Sequence, residues 1–185
     1  IAVPLLTLTF DFIVVVPLIA GLDYLASVGQ GVKDRRYISF ADLWPLFPFT
    51  FAGVSLGVYL LSRLETRVMA LWLAVFIISF ALYSLLPVKG RRGGRGWAIP
   101  AGFMGGFVGA SFGTGGPFYV IYFRLRGLDK TSFRATISIS FVVDGSLRLL
   151  GFVMSQALSF KMFILIIASI PLLWVGMYVG SRIHV

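Results

Sequence analysis

Apolar runs of membrane-spanning size follow one another along almost the whole chain, and this constrains the fold more than any motif does. Segments 1–10, 12–31, 41–62, 67–88, 97–125, 131–156 and 160–182 are predominantly apolar, with short gaps between them. A spanning helix needs about 20 such residues, so the chain provides for about six or seven crossings and no soluble domain between them. Only 12% of its 185 residues are charged, against roughly 25% in a soluble domain. The expected fold is all-α, a polytopic transmembrane helix bundle in the cell membrane, with the lipid bilayer as its surroundings. The +9 net charge lies on no soluble basic patch with interleaved aromatics, which excludes a nucleic-acid partner. Cysteine is absent, excluding disulfides and thiolate metal sites. No H-E-x-x-H, Walker A or dinucleotide fingerprint is present, so no metal, ATP or redox cofactor is expected.

An internal repeat divides the chain. Residues 57–64 read GVYLLSRL and residues 176–183 read GMYVGSRI, matching Gly, Tyr, Ser and Arg at an offset of 119. Ile38-Ser39-Phe40 and Leu158-Ser159-Phe160 open the same spans at an offset of 120. The organisation read from this is a first membrane repeat at 1–88, a basic loop at 89–96 and a second membrane repeat at 97–185. Charge then orients the halves. If 97–125 crosses fully, Lys and Arg divide almost evenly between the two faces. If it turns back on itself, Lys33, Arg35, Arg36, Lys89, Arg91, Arg92, Arg95, Arg124, Arg126, Lys130, Arg134 and Arg182 share one face. Arg63, Arg67 and Lys161 alone are left on the other. Cationic excess marks the cytoplasmic side, which favours a re-entrant segment. It also sets 41–62 and 160–182 antiparallel, making the repeat an inverted one, as in transporters.

The break falls at Gly113-Thr114-Gly115-Gly116-Pro117. Three glycines and a proline without an N–H do not sustain a continuous helix. Backbone freed at membrane depth must be buried in protein or line a wet cavity, and bare N–H groups there suit a small anion. Upstream, Gly102/Gly106 and Gly105/Gly109/Gly113 are spaced i,i+4, a pattern of close helix packing.

Residues 106–139, GFVGASFGTGGPFYVIYFRLRGLDKTSFRATISI, resemble the second-half signature of the TauE/SafE sulfite exporter family: a Gly-rich segment ending in GxGG-Pro, an apolar stretch, a basic turn and a small-residue helix. Pro4 to Leu22 resembles the stretch after the family's first Gly-rich motif. The resemblance implies a permease for small anions such as sulfite or organosulfonates, and no enzyme activity. It also implies that the first repeat lacks its N-terminal Gly-rich segment and the second its last span.

Ionisable residues within spans are functional by default. Asp144 and Arg148 stand at i,i+4 with the acid first, the favourable order for a pair. Mutual neutralisation is one reading. The other makes Arg148 an anion ligand, since a guanidinium offers a planar fork to two oxygens, with Asp144 holding it or titrating if protons are the coupling ion. Asp23 is the first-half candidate for a similar coupling or pairing role. Candidate substrate contacts are therefore Ser111, Gly113, Thr114, Gly115, Gly116, Pro117 and Arg148. Arg124, Arg126, Lys130 and Arg134 are expected at the lipid headgroups.

Two other classes compete. Gly109-Ala-Ser111-Phe-Gly113 fits G-x-S-x-G and so a rhomboid-like intramembrane serine protease, but a Ser nucleophile needs a base within reach. The one histidine, His184, stands next to the end of the sequence. A non-transporting membrane interaction protein would be a helix bundle without a wet cavity.

Overall fold

The computed structural model describes residues 2–7, 9–31, 35–85, 93–157 and 160–183. Its helices are α1 (Ala2–Leu6), α2 (Phe12–Gly31), α3 (Phe40–Leu43), α4 (Phe47–Arg63), α5 (Thr66–Leu85), α6 (Ala98–Phe112), α7 (Gly116–Leu125), α8 (Lys130–Met154) and α9 (Phe160–Ile183). Single 3-10 turns occupy Arg35–Tyr37, Trp44–Leu46 and Arg95–Trp97, and no strand occurs among the described residues. The boundary at 88/89, together with Lys33, Lys89, Arg91, Arg92 and His184, lies outside the described residues.

The stretch 97–125 forms two helices. Gly113 adopts a left-handed φ of +68°, open to glycine at little cost, and its N–H caps α6 on the Gly109 carbonyl at 2.9 Å. Pro117 then falls in the first turn of α7, where a missing N–H costs nothing. At 1.5 Å per residue the two arms are about 22 and 15 Å long, both short of an approximately 30 Å hydrocarbon core. Their far ends meet: Gly93 N–H donates to the Leu125 carbonyl at 2.9 Å, and Arg126 Nη1 donates to the Gly93 carbonyl at 2.8 Å. The pair is a hairpin.

Glycine on both partners lets α4 lie directly on α6. A Cβ at Gly57 would stand 2.7 Å from the Phe107 carbonyl oxygen, one at Gly102 2.8 Å from that of Leu46, and one at Gly106 2.5 Å from that of Thr50. The expected small-residue seam is present, with Gly53 and Gly57 of α4 supplying its other half. On the opposite side α2 packs on both α8 and α9, while α8 packs on α4. One apolar core gathers Phe12, Val16, Val54, Val108, Phe112 and Phe152. A second, around the hairpin's far end, holds Leu43, Leu46, Ala98, Tyr122 and Phe123.

The outer surface is apolar. Leu71, Trp72, Val75, Ile78 and Leu82 of α5, and Ile164, Ile167, Trp174 and Val175 of α9, are exposed. Water tolerates no apolar patch of that extent; lipid does. Two helical stretches, Phe40–Arg63 and Lys130–Met154, are long and apolar enough to cross a membrane, and the apolar helices Phe12–Val28, Thr66–Leu82 and Ile164–Gly176 are shorter.

Candidate functional site

The helix break opens onto a cavity of about 520 Å³, walled by α2, the 113–117 segment and α8. Asp23, Gly113, Thr114, Gly115, Gly116, Pro117 and Arg148, all singled out in the sequence, line it together with Tyr24, Ser27, Ser138 and Phe141. Ser111 and Asp144 do not. Ser111 is buried against α4, its Oγ 3.0 Å from where a Cβ on Gly57 would stand, and Asp144 lies behind Arg148.

Arg148 is 5% exposed and Asp144 1%. Charges so placed are held only when paired and hydrogen-bonded, and the surroundings meet that need. Arg148 Nη2 donates to Asp144 Oδ2, and Nη1 donates to the Gly109 carbonyl at 3.2 Å. The Tyr119 hydroxyl donates to Asp144 Oδ1 at 3.1 Å, with its oxygen 3.4 Å from Thr50 Oγ1. The guanidinium thus reaches the last turn of α6, where helix carbonyls collect negative potential. Gly109, grouped by spacing with the packing glycines, lies close against Gly115, whose Cβ would stand 3.0 Å from the Gly109 Cα, while a Cβ on Gly109 itself would be in ordinary contact with Arg148 Cζ at 3.5 Å.

Two polar atoms on residues lining this cavity have no partner among the described residues: Arg148 Nε and Thr114 Oγ1 are both buried without a hydrogen bond. A buried donor left unsatisfied costs about 1–3 kcal/mol, so each of these atoms calls for an explanation. Both can donate to an oxyanion, and Gly115 and Gly116 set the N-terminal, positive end of α7 on the same wall.

The hairpin's far end carries a second ion pair. Arg126 Nε donates to Asp42 Oδ1 at 2.7 Å, Ser39 Oγ to Asp42 Oδ2 at 2.8 Å, and the Tyr122 hydroxyl to the Asp42 carbonyl at 3.1 Å. Arg126 is therefore committed to protein groups and not to the headgroups expected of it, whereas Arg124, Lys130 and Arg134 are exposed. Tyr119, Thr50 and Asp42 were not singled out by sequence. Tyr119 left one signal, a hydroxyl two residues after Pro117 that demands a partner if buried.

Apolar helices facing outward around a cavity with a spare guanidinium donor describe a membrane transporter for small anions. The chain belongs to the sulfite exporter TauE/SafE family, whose model matches residues 1–185. Members of that family are transporters and not enzymes. No curated protein and no solved structure matches the chain.

Proposed function

We propose that this chain is a multi-pass permease of the cell membrane for sulfite or small organosulfonates, and that the anion binds in the cavity at the helix break. The observation that carries this is the pair of buried, unpartnered donors, Arg148 Nε and Thr114 Oγ1, on residues lining one cavity. Arg148 is the charged ligand, Thr114 and the Gly115–Gly116 backbone are neutral ones, and Asp144 with Tyr119 hold the guanidinium in place. With a carboxylate on Nη2 and a carbonyl on Nη1, Nε is the guanidinium donor left without a protein partner among the described residues.

The meeting of the hairpin's far ends supports a re-entrant segment, and the twelve-to-three division of Lys and Arg that goes with it supports a cytoplasmic position for those ends. An inverted repeat gains support from the packing. The offset of about 120 exchanges α2 with α8 and α4 with α9, and α2 packs on α9 as α8 packs on α4. Asp23 and Asp144 are the carboxylates available to carry a coupled proton. Uptake of sulfite, sulfoacetate and sulfate into proteoliposomes, with and without a proton gradient, tests the reading. Saturable flux of at least one sulfur oxyanion is expected, and none would end the proposal.

A further inference from the structure

The cavity at the break reaches towards one end of the bundle. On α2 its lining begins at Asp23 and lies in the half nearer Gly31; on α8, Ile137, Ser138 and Phe141 lie in the half nearer Lys130. Arg148 is its furthest contact along α8 from that end. The two halves run side by side. Tyr24 packs on Gly145, Cδ2 standing 3.0 Å from the position of a Cβ, and beyond α2 the Ser39 N–H donates to Thr136 Oγ1 at 3.0 Å. The Asp42–Arg126 pair is at this end too, because the Ser39 hydroxyl donates to Asp42.

A second cavity, of about 270 Å³, lies at the opposite end of α2, where Asp11, Phe12, Leu61, Arg63, Glu65 and Thr66 line it. From Phe12 to Asp23 is roughly 16 Å along the helix axis. The ring of Phe12 meets that of Phe112 edge-on, with centroids 6.4 Å apart and planes at 76°. Phe12 is 1% exposed and Phe112 4%. Phe112 directly precedes Gly113, which lines the first cavity. Val3 packs against the same turn, its Cγ2 3.0 Å from where a Cβ on Gly113 would stand. Two buried rings in contact therefore join the wall of one cavity to the wall of the other.

We infer that Phe12 and Phe112 form the gate between the two cavities, and that an anion on Arg148 releases it. The inference rests on the anion site proposed above and adds the barrier that a bound anion must pass. Packed apolar rings exclude water, and a hydrated anion crosses such a constriction only when it parts. The rings are joined by packing alone, so parting them breaks no hydrogen bond. The trigger is the last turn of α6, which carries Phe112. There the Gly109 carbonyl accepts both the Gly113 N–H at 2.9 Å and Arg148 Nη1 at 3.2 Å. A bound anion draws the guanidinium towards itself in competition with that carbonyl, and so loosens the tie between α8 and the turn.

Because the chain holds no cysteine, the gate is tested with Phe12→Cys/Phe112→Cys joined by a short bis-maleimide, whose thioethers sulfite does not cleave. In proteoliposomes, joining the two should abolish flux of sulfite and ethanesulfonate, while calorimetric binding of the same anions persists. Flux that survives complete joining, or binding lost along with flux, overturns the inference. Truncating two buried rings is costly to folding, so amide exchange on the unaltered chain supplies a second test. Val15 and Gly113, whose N–H groups bond to the carbonyls of Asp11 and Gly109, should exchange faster with a saturating anion than without. Exchange unchanged or slowed at both, with the anion bound, would mean that the ligand releases nothing, and overturns the inference as well. An unaltered chain that binds neither anion would instead remove the anion site, and the trigger with it.

Discussion

Arg148 Nη1 donates to the carbonyl oxygen of Gly109 at 3.2 Å, an oxygen that also accepts the Gly113 N–H capping α6. One side chain of α8 is thereby tied to the turn at which the hairpin breaks. A shift of the hairpin relative to α8 must move this guanidinium or free it, which links the position of the break to the state of the site.

The pair that holds Arg148 also determines how the residue can be removed. Arg148→Ala leaves Asp144 buried and unpaired, and breaking a buried pair on one side costs about 3–5 kcal/mol. The double variant Asp144→Asn/Arg148→Gln removes both charges, and should retain most of the stability that Arg148→Ala loses. Thermal unfolding in detergent compares the two; equal losses would show that the pairing contributes nothing.

Tyr119→Phe deletes the hydroxyl on Asp144 Oδ1 and leaves the ring in place. The expected loss of stability is about 1–2 kcal/mol. Because Asp144 would then hold Arg148 less firmly, the half-saturating substrate concentration should rise several-fold. Unchanged transport kinetics with lowered stability would reduce Tyr119 to a packing role.

Glycines of the break differ sharply in what they tolerate. A Cβ at Gly115 would enter the Gly105 backbone, 3.0 Å from its carbonyl carbon, whereas one at Gly116 would meet only the ring of Phe141 at 3.3 Å. Gly115→Ala should therefore force the hairpin arms apart and cost about 1–3 kcal/mol or more. Gly116→Ala should fold and reduce transport by narrowing the cavity. Similar expression and melting temperatures for both would contradict the packing described.

The Asp42–Arg126 pair at 2.7 Å closes the far end of the hairpin. Asp42→Asn should speed amide exchange at Gly93 and around Arg126 without altering exchange near Gly113. Uniform exchange along the hairpin would deny the pair a clasping role.

Asp129 caps α8, accepting the backbone N–H groups of Thr131 at 3.1 Å and Ser132 at 3.2 Å. The Ser132 hydroxyl, its backbone N–H and that of Thr131 hold the carboxyl below the ordinary range. A lowered folded-state pKa stabilises above the unfolded value, near 3.9, and that contribution is lost as pH falls through the folded one. Asp129→Asn should flatten the loss of stability below about pH 4; an unchanged acid limb would contradict the cap.

Much of this was legible in the sequence because membrane helices are constrained by few rules. Apolar length gave the helices, Gly113 to Pro117 gave the break, and the sorting of Lys and Arg favoured a segment that turns back on itself, a reading with which the contact between Gly93 and Arg126 agrees. Asp23, Arg148 and the 113–117 segment were chosen on separate grounds and line one cavity. Other features were hidden for physical reasons. Ser111 has the same composition and spacing as a cavity-lining hydroxyl, yet helix rotation turns it towards Gly57. Arg126 is indistinguishable by position from an interfacial arginine, because its partner Asp42 is more than eighty residues away.

The central claim, that an anion binds on Arg148 at the helix break, is tested most directly by sulfite and ethanesulfonate flux into proteoliposomes carrying the unaltered chain or Asp144→Asn/Arg148→Gln. The account predicts saturable flux in the first and a loss of more than about 10-fold in the second, with the melting temperature close to that of the unaltered chain. Equal flux through both would place the anion elsewhere.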